Sequence, residues 1–256
     1  MTRVALFVAG LAGAFLAAFV VGRVLDVGER TVPDAHAAEA VHATALPGGL
    51  SLEQDGYRLE AERDEFVAGH TEAFVFHILA PGGEVLRDYD VDHEKRLHLI
   101  VVSRPLVRFL HLHPRPRPDG AWTVPLTLPE NASYRAFADF TTGGERRTLG
   151  IDLQAYGRSR LADDRASEYD VLVDQHGDEL DLTVSIAGKP VELQRYLGAR
   201  GHLVVLREGD LAYIHAHADK ARLSFDVPFP SHGEYRLFLQ FKVDGKVETG
   251  SFGVTR

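Results

Sequence analysis

The sequence predicts an all-β chain: two tandem immunoglobulin-like β-sandwich domains after an N-terminal transmembrane helix. Three observations predict it. A histidine pattern occurs twice with identical spacing, as HLIVVSRPLVRFLHLH over residues 98–113 and as HLVVLREGDLAYIHAH over residues 202–217, an offset of 104. Downstream, Tyr134, Arg135, Phe137, Phe140 and Gly144 recur as Tyr235, Arg236, Phe238, Phe241 and Gly245 at an offset of 101. Beyond residue 50 the chain alternates apolar and polar residues with period two, which marks strands with one buried face. The three residues lost between the two matches fit a shorter turn in place of HPRPRPDG, since loops absorb length changes and core strands do not.

The elements follow in order. Residues 4–22, VALFVAGLAGAFLAAFVVG, carry no charge and lie between Arg3 and Arg23. Nineteen helical residues span about 28 Å, close to the hydrocarbon thickness of a bilayer. Residues 1–22 are therefore expected to be an uncleaved anchor, with the N-terminus inside and the bulk of the chain extracytoplasmic. Used instead as a cleaved signal peptide, the same segment makes the protein secreted. Residues 23–49, rich in Ala, Pro, Gly and charge, are expected to form a flexible linker, and His36 and His42 are solvated within it. The first sandwich is expected over 50–157, with strands at 57–62, 72–80, 97–102, 109–113, 121–128, 133–140 and 146–155. Polar, aperiodic residues 158–167 form an interdomain linker. The second sandwich, over 168–256, has strands at 169–174, 179–187, 201–206, 212–217, 221–227, 234–241 and 246–254. The turns APGG, RPRPDG, TTGG, AGKP, FPSHG and VDG separate them. The early Tyr of EYRLFLQF fits a tyrosine corner.

Composition narrows the chemistry. A length of 256 residues has room for two domains of about 100. A net charge of −9 argues against nucleic-acid binding. The chain has no cysteine, which excludes disulfides, thiolate metal sites and cysteine nucleophiles, and its one methionine is Met1. Any transition-metal site must then use His with Asp, Glu or backbone ligands, a donor set suited to Cu(II), Zn(II) or Ni(II).

The histidines supply such a set. Residues i and i+2 of a strand share a face, so His111 and His113 project together, as do His215 and His217. SRPLVR is expected to reverse the chain and return them beside His98. Each repeat is thus expected to hold Cu(II) or Zn(II) in its own three-His site with an open fourth position: His98, His111 and His113, then His202, His215 and His217. His93 is a candidate fourth ligand that the second copy lacks. Binding needs neutral imidazoles, so affinity is expected to fall below about pH 6. Two alternatives stay open. The histidines serve the fold, and the sandwiches present a surface to another envelope protein. Or an open His₃ zinc site activates water, with Asp139 or Glu94 as base. No nucleophile elbow, phosphate loop or H-E-x-x-H motif occurs, so the chain is not expected to be an enzyme.

On the residues HEKRLHLIVV, FLHLHP, DGAWTVPLTLP and YRAFADF, and again on YLGARGHLVVL, YIHAH and GEYRLFLQF, the chain resembles bacterial membrane-anchored or secreted proteins with His-rich immunoglobulin-like repeats. That group is linked loosely to heavy-metal or copper handling. The resemblance implies a role for His93, His98, His111, His113, His202, His215 and His217. The second copy departs from the pattern, with Ala218 where the first has Pro114 and Ala216 where it has Leu112.

Overall fold

The computed structural model describes residues 46–157, 168–218 and 222–256. The expected anchor, most of the 23–49 tether and the 158–167 linker lie outside the described residues, among which no helix is long and apolar enough to cross a membrane.

The described chain is all-β. Its first ten strands are Glu53–Gln54 (β1), Tyr57–Ala61 (β2), Glu65–Val67 (β3), Thr71–Leu79 (β4), Leu97–Ser103 (β5), Phe109–Leu112 (β6), Arg115–Pro116 (β7), Trp122–Thr127 (β8), Ser133–Thr142 (β9) and Glu145–Tyr156 (β10). They form two sheets, ordered β1-β2-β4-β8-β7 and β3-β10-β9-β5-β6. Taken along the chain from β2, omitting β3, the strands occupy the A, B, C, C′, D, E, F and G places of an immunoglobulin-type sandwich, A-B-E-D facing G-F-C-C′. The later strands are Asp170–His176 (β11), Glu179–Ile186 (β12), Lys189–Pro190 (β13), Gly201–Arg207 (β14), Tyr213–His217 (β15), Ser224–Asp226 (β16), Glu234–Val243 (β17) and Lys246–Thr255 (β18). Here β11, β12, β13 and β16 make one sheet and β15-β14-β17-β18 repeats the C′-C-F-G order. The four strands unanticipated from sequence, β1, β3, β7 and β13, have only two or three residues, too few to show a period.

Each sandwich has its own core. Phe74, Phe76, Trp122 and Leu126 meet Leu97, Leu99, Val101, Tyr134 and Phe140 in the first. Leu180, Val184 and Phe225 meet Leu203, Val205, Tyr235, Leu237 and Phe241 in the second. Both copies carry a tyrosine corner: the Tyr134 hydroxyl donates to Glu130 O (3.1 Å) and the Tyr235 hydroxyl to Ser231 O (2.7 Å).

One expectation needs correction. Strands with one wet face should alternate in burial, yet every residue of β5 is buried, as are six of the seven in β14. The reason is a third apolar cluster. Ile100, Val102, Leu106 and Phe137 from the first sandwich pack on Val204, Leu206, Leu211, Tyr213 and Phe238 from the second. The two G-F-C-C′ sheets thus lie face to face. Reciprocal aromatic pairs hold them: Phe137 of β9 stacks on Tyr213 of β15 (4.9 Å), and Phe238 of β17 on Phe109 of β6 (4.5 Å). Gly48 and Gly49, at the end of the expected tether, are pinned beside this junction. Arg135 donates to Gly49 O through two nitrogens (3.0 and 2.7 Å), and Tyr213 N donates to Gly48 O (3.0 Å). Gly49 sits at φ +76°, and a Cβ there would lie 2.4 Å from the Phe137 ring, so both conformation and space demand glycine.

Candidate metal centre

Strand register brings the first copy's histidines together. Leu99 pairs with Leu112 across β5 and β6, so one step further along the ladder His98 faces His113. On its other side His98 pairs with Asp139 of β9. The Nδ1 of His98 lies 2.9 Å from the Nε2 of His111. The His113 ring centroid is 5.1 Å from that of His98 and 4.8 Å from that of His111. Each of the three offers a ring nitrogen within 4.8 Å of the others, and the group could hold a metal ion.

The second copy repeats the register, Val204 pairing with His215, His202 with His217 and His202 with Gln240 of β17. Among the described residues the convergent three-histidine group is that of the first copy. Because the two sheets are face to face, His215 enters the first copy's cluster, with centroids 5.5 Å from His98 and 6.1 Å from His111. His202 stands 6.2 Å from both His111 and His215. His93 is not among the three convergent residues. Its Nδ1 approaches Leu197 O (3.2 Å) and its ring lies 5.3 Å from that of His202. His217 ends β15 opposite His202. His70 and His232 in turns and His176 at the end of β11 are exposed.

The outer hydrogen bonds fix which nitrogen faces the cluster. A carbonyl only accepts, so His98 donates from Nε2 to Asp92 O (3.3 Å), and His202 donates from Nε2 to Tyr196 O (2.9 Å) at the equivalent turn. His111 donates from Nδ1 to Gln240 Oε1 (2.7 Å), and the Gln240 amide nitrogen points to Thr249 Oγ1 (3.4 Å). His215 donates from Nδ1 to Asp139 Oδ2 (2.6 Å), and Thr148 donates to the other carboxylate oxygen (3.1 Å). The His111–Gln240 and His215–Asp139 bonds are reciprocal. Each sandwich orients the other's H-x-H histidine with the same position of its F strand, Asp139 in one and Gln240 in the other. Neither role was read from sequence, although both residues occupy matched positions in FADF and FLQF; each partner lies in the other repeat, which spacing cannot show.

With Nε2–H of His98 donated to Asp92 O and Nδ1–H of His111 to Gln240 Oε1, the facing nitrogens 2.9 Å apart are left as acceptors; the other tautomer of either ring makes the contact a hydrogen bond. Protonation is opposed by the site. Burial, chiefly, holds His98, His113 and His202 down at about 4, and burial together with neighbouring imidazoles holds His111 and His215 well below the ordinary value. The His113 Nε2 is buried and has no hydrogen-bond partner among the described residues. Burial also raises Asp139 to about 6. Its carboxylate is engaged by His215 and Thr148, and Glu94 is exposed on a left-handed turn (φ 65°), so neither expected base faces an open site. His113 also lines a 560 Å³ groove with Glu72, Arg115 and Pro125, which gives the cluster a solvent edge.

Fold and site define a tandem immunoglobulin-type protein with a buried imidazole cluster where its sandwiches meet. The chain belongs to the family described as Domain of unknown function (DUF8832), which matches residues 52–157 and 166–256. Among curated proteins none matches. Solved structures with some likeness include Escherichia coli alpha-2-macroglobulin activated by porcine elastase, at 14% identity over 78% of this chain and 20% of that one (TM-score 0.29). Another is the Escherichia coli adhesin FdeC, at 13% identity over 79% of this chain and 65% of that one (TM-score 0.26). A DUF4785 family protein from Legionella pneumophila is similar at 14% identity over 77% and 55% (TM-score 0.28). The chain spans less than two thirds of each of these, and at such TM-scores the fold rests on its own sheets and cores.

Proposed function

We propose that this protein binds a divalent transition metal ion, Cu(II) or Zn(II), through His98, His111 and His113, for sequestration, sensing or transfer. The observation that carries the reading is the convergence of His98, His111 and His113, each offering a ring nitrogen within 4.8 Å of the others. The nearest pair, His98 Nδ1 and His111 Nε2, is 2.9 Å apart. Tetrahedral ligands at 2.0–2.1 Å from zinc stand about 3.3 Å apart, so small ring rotations suffice to bind. Outer-shell acceptors on each imidazole are the arrangement that fixes tautomers at metal sites. Imidazole nitrogen suits both metals, and the absence of thiols removes Cu(I)-type ligation. Residues 1–22 support an anchored or secreted, extracytoplasmic setting.

Calorimetric titration of the full chain with Zn(II) and with Cu(II) tests the reading, with His111→Ala/His113→Ala as control. Saturable binding lost in the double variant is expected. Identical titrations of the two proteins would end the proposal.

One observation favours a second reading, an envelope interaction module with structural histidines. His98 and His202 make the same bond to the same turn carbonyl in both copies, which is a folding role. If metal and chelator leave the melting temperature unchanged while His98→Ala lowers it, that reading prevails.

A further inference from the structure

We infer that the two H-x-H repeats build one metal centre, not two, and that His215, aimed across the junction by Asp139, is its fourth ligand. This rests on the metal-binding reading above and goes beyond it by assigning the centre to both sandwiches. Three features carry it.

The first is position. The centroid of His215 is 5.5 Å from His98 and 6.1 Å from His111, against about 5 Å for imidazoles that share a tetrahedral ion, so His215 borders the convergent group and ligates by a small inward shift. Its side chain is 1% exposed, so it belongs to the interior of the junction rather than to a surface site on the second sandwich. The second feature is orientation. Its Nδ1–H is spent on Asp139 Oδ2 at 2.6 Å, which leaves Nε2 as the coordinating nitrogen, as the Gln240 bond does for His111. A carboxylate–imidazole pair of this kind fixes the tautomer and raises ligand basicity. The third is charge. Four neutral imidazoles leave a divalent ion uncompensated in a buried site, and burying bare charge is costly. Asp139, 2% exposed, supplies one negative charge one bond beyond the ligand. The equivalent Gln240 supplies none, and the Arg146 guanidinium stands 4.0 Å from the other Asp139 oxygen. Asp139 is thus a positioning residue, not a ligand. His202 borders the same cluster from the second sandwich.

The physical consequence is linkage. An ion held by both sandwiches binds more tightly when they are face to face, so it stabilises the junction by the difference in its binding free energy. A chain with two independent His₃ sites has no such coupling.

The test is Co(II) titration of the full chain, followed by visible absorption, beside His215→Ala, Asp139→Asn and Val191→Ala as a remote control. Expected in the wild type are one ion per chain and the intense d–d bands of four-coordinate Co(II). His215→Ala is expected to weaken binding at least about tenfold and change the spectrum, and Asp139→Asn to weaken it about 10–100-fold with the spectrum kept. Circular dichroism of the unliganded variants separates misfolding from ligand loss, and in a misfolded His215→Ala the conservative His215→Gln takes its place. Two ions per chain, or a His215 variant with wild-type affinity and spectrum, would overturn the inference and leave the His98–His111–His113 reading standing. A wild type that binds no Co(II), Zn(II) or Cu(II) overturns both.

Discussion

The two sandwiches are one design used twice, and the side chains that touch the histidines differ between them. Both have the G-F-C-C′ sheet, the tyrosine corner, an F-strand phenylalanine stacked on the other copy's C′ strand, and a histidine bonded to a turn carbonyl. What differs is chemistry. Asp139 in the first copy is Gln240 in the second, Phe109 is Tyr213, and His93 is Leu197. Core and junction tolerate little change, because close packing makes each methylene felt. The side chains around the imidazoles were free to diverge once each copy served the other. One acid rather than two avoids burying a pair of like charges beside a single cluster.

The comparison can be strained by experiment, largest effect first. Phe137→Ala and Phe238→Ala each remove a reciprocal stack, and each is expected to cost about 3–5 kcal/mol in urea unfolding, as buried Phe→Ala changes do. Both are expected to keep one unfolding transition or to split it in the same way. A large loss in one and none in the other would show that the junction is not shared equally.

The next effect separates the copies. His111→Ala is expected to weaken Zn(II) binding at least about 100-fold, roughly 2.7 kcal/mol. His202→Ala is expected to weaken it less than about tenfold, since the His202 Nε2 is bonded to the Tyr196 carbonyl and its ring stands 6.2 Å from both His111 and His215. Equal losses in calorimetry would remove the asymmetry.

Acid acts on both copies. His98, His113 and His202 sit at about 4 against an ordinary 6.5, so on acidification the unfolded chain takes up protons that the native chain refuses. Stability of the metal-free protein should therefore fall between pH 6.5 and pH 4. Asp139, raised to about 6 from 3.8, takes up its proton first in the native state and opposes the fall, but it is one group against five once His111 and His215 are counted. Urea midpoints measured in chelator at pH 7.5 and pH 5 should show the drop, and a midpoint that rises at pH 5 would refute it.

The smallest effect should be symmetrical. Tyr134→Phe and Tyr235→Phe each delete one hydroxyl bonded four residues upstream, expected to cost about 1 kcal/mol apiece. Thermal melts that separate the two by several degrees would mean the corners do different work.

Much of this molecule was legible in its sequence. Period two gave the long strands within a residue or two. The repeated H-x-H placed two imidazoles on one strand face, and the tight reversal at SRPLVR brought them beside His98. A signal for the junction was also present and went unread. LHLIVVS and GHLVVLR are apolar at nearly every position, which a strand with one wet face does not need, and such runs mark strands covered on both sides. By itself, then, the sequence determined what is local: strand alternation, turn chemistry, the tyrosine corner, and which side chains share a face, because these follow from backbone geometry over a few residues. Only the tertiary structure decided that the two histidine faces meet. Bringing His215 to His98, and Gln240 to His111, depends on the docking of two preformed sheets, and no spacing along the chain encodes the partner of an exposed face.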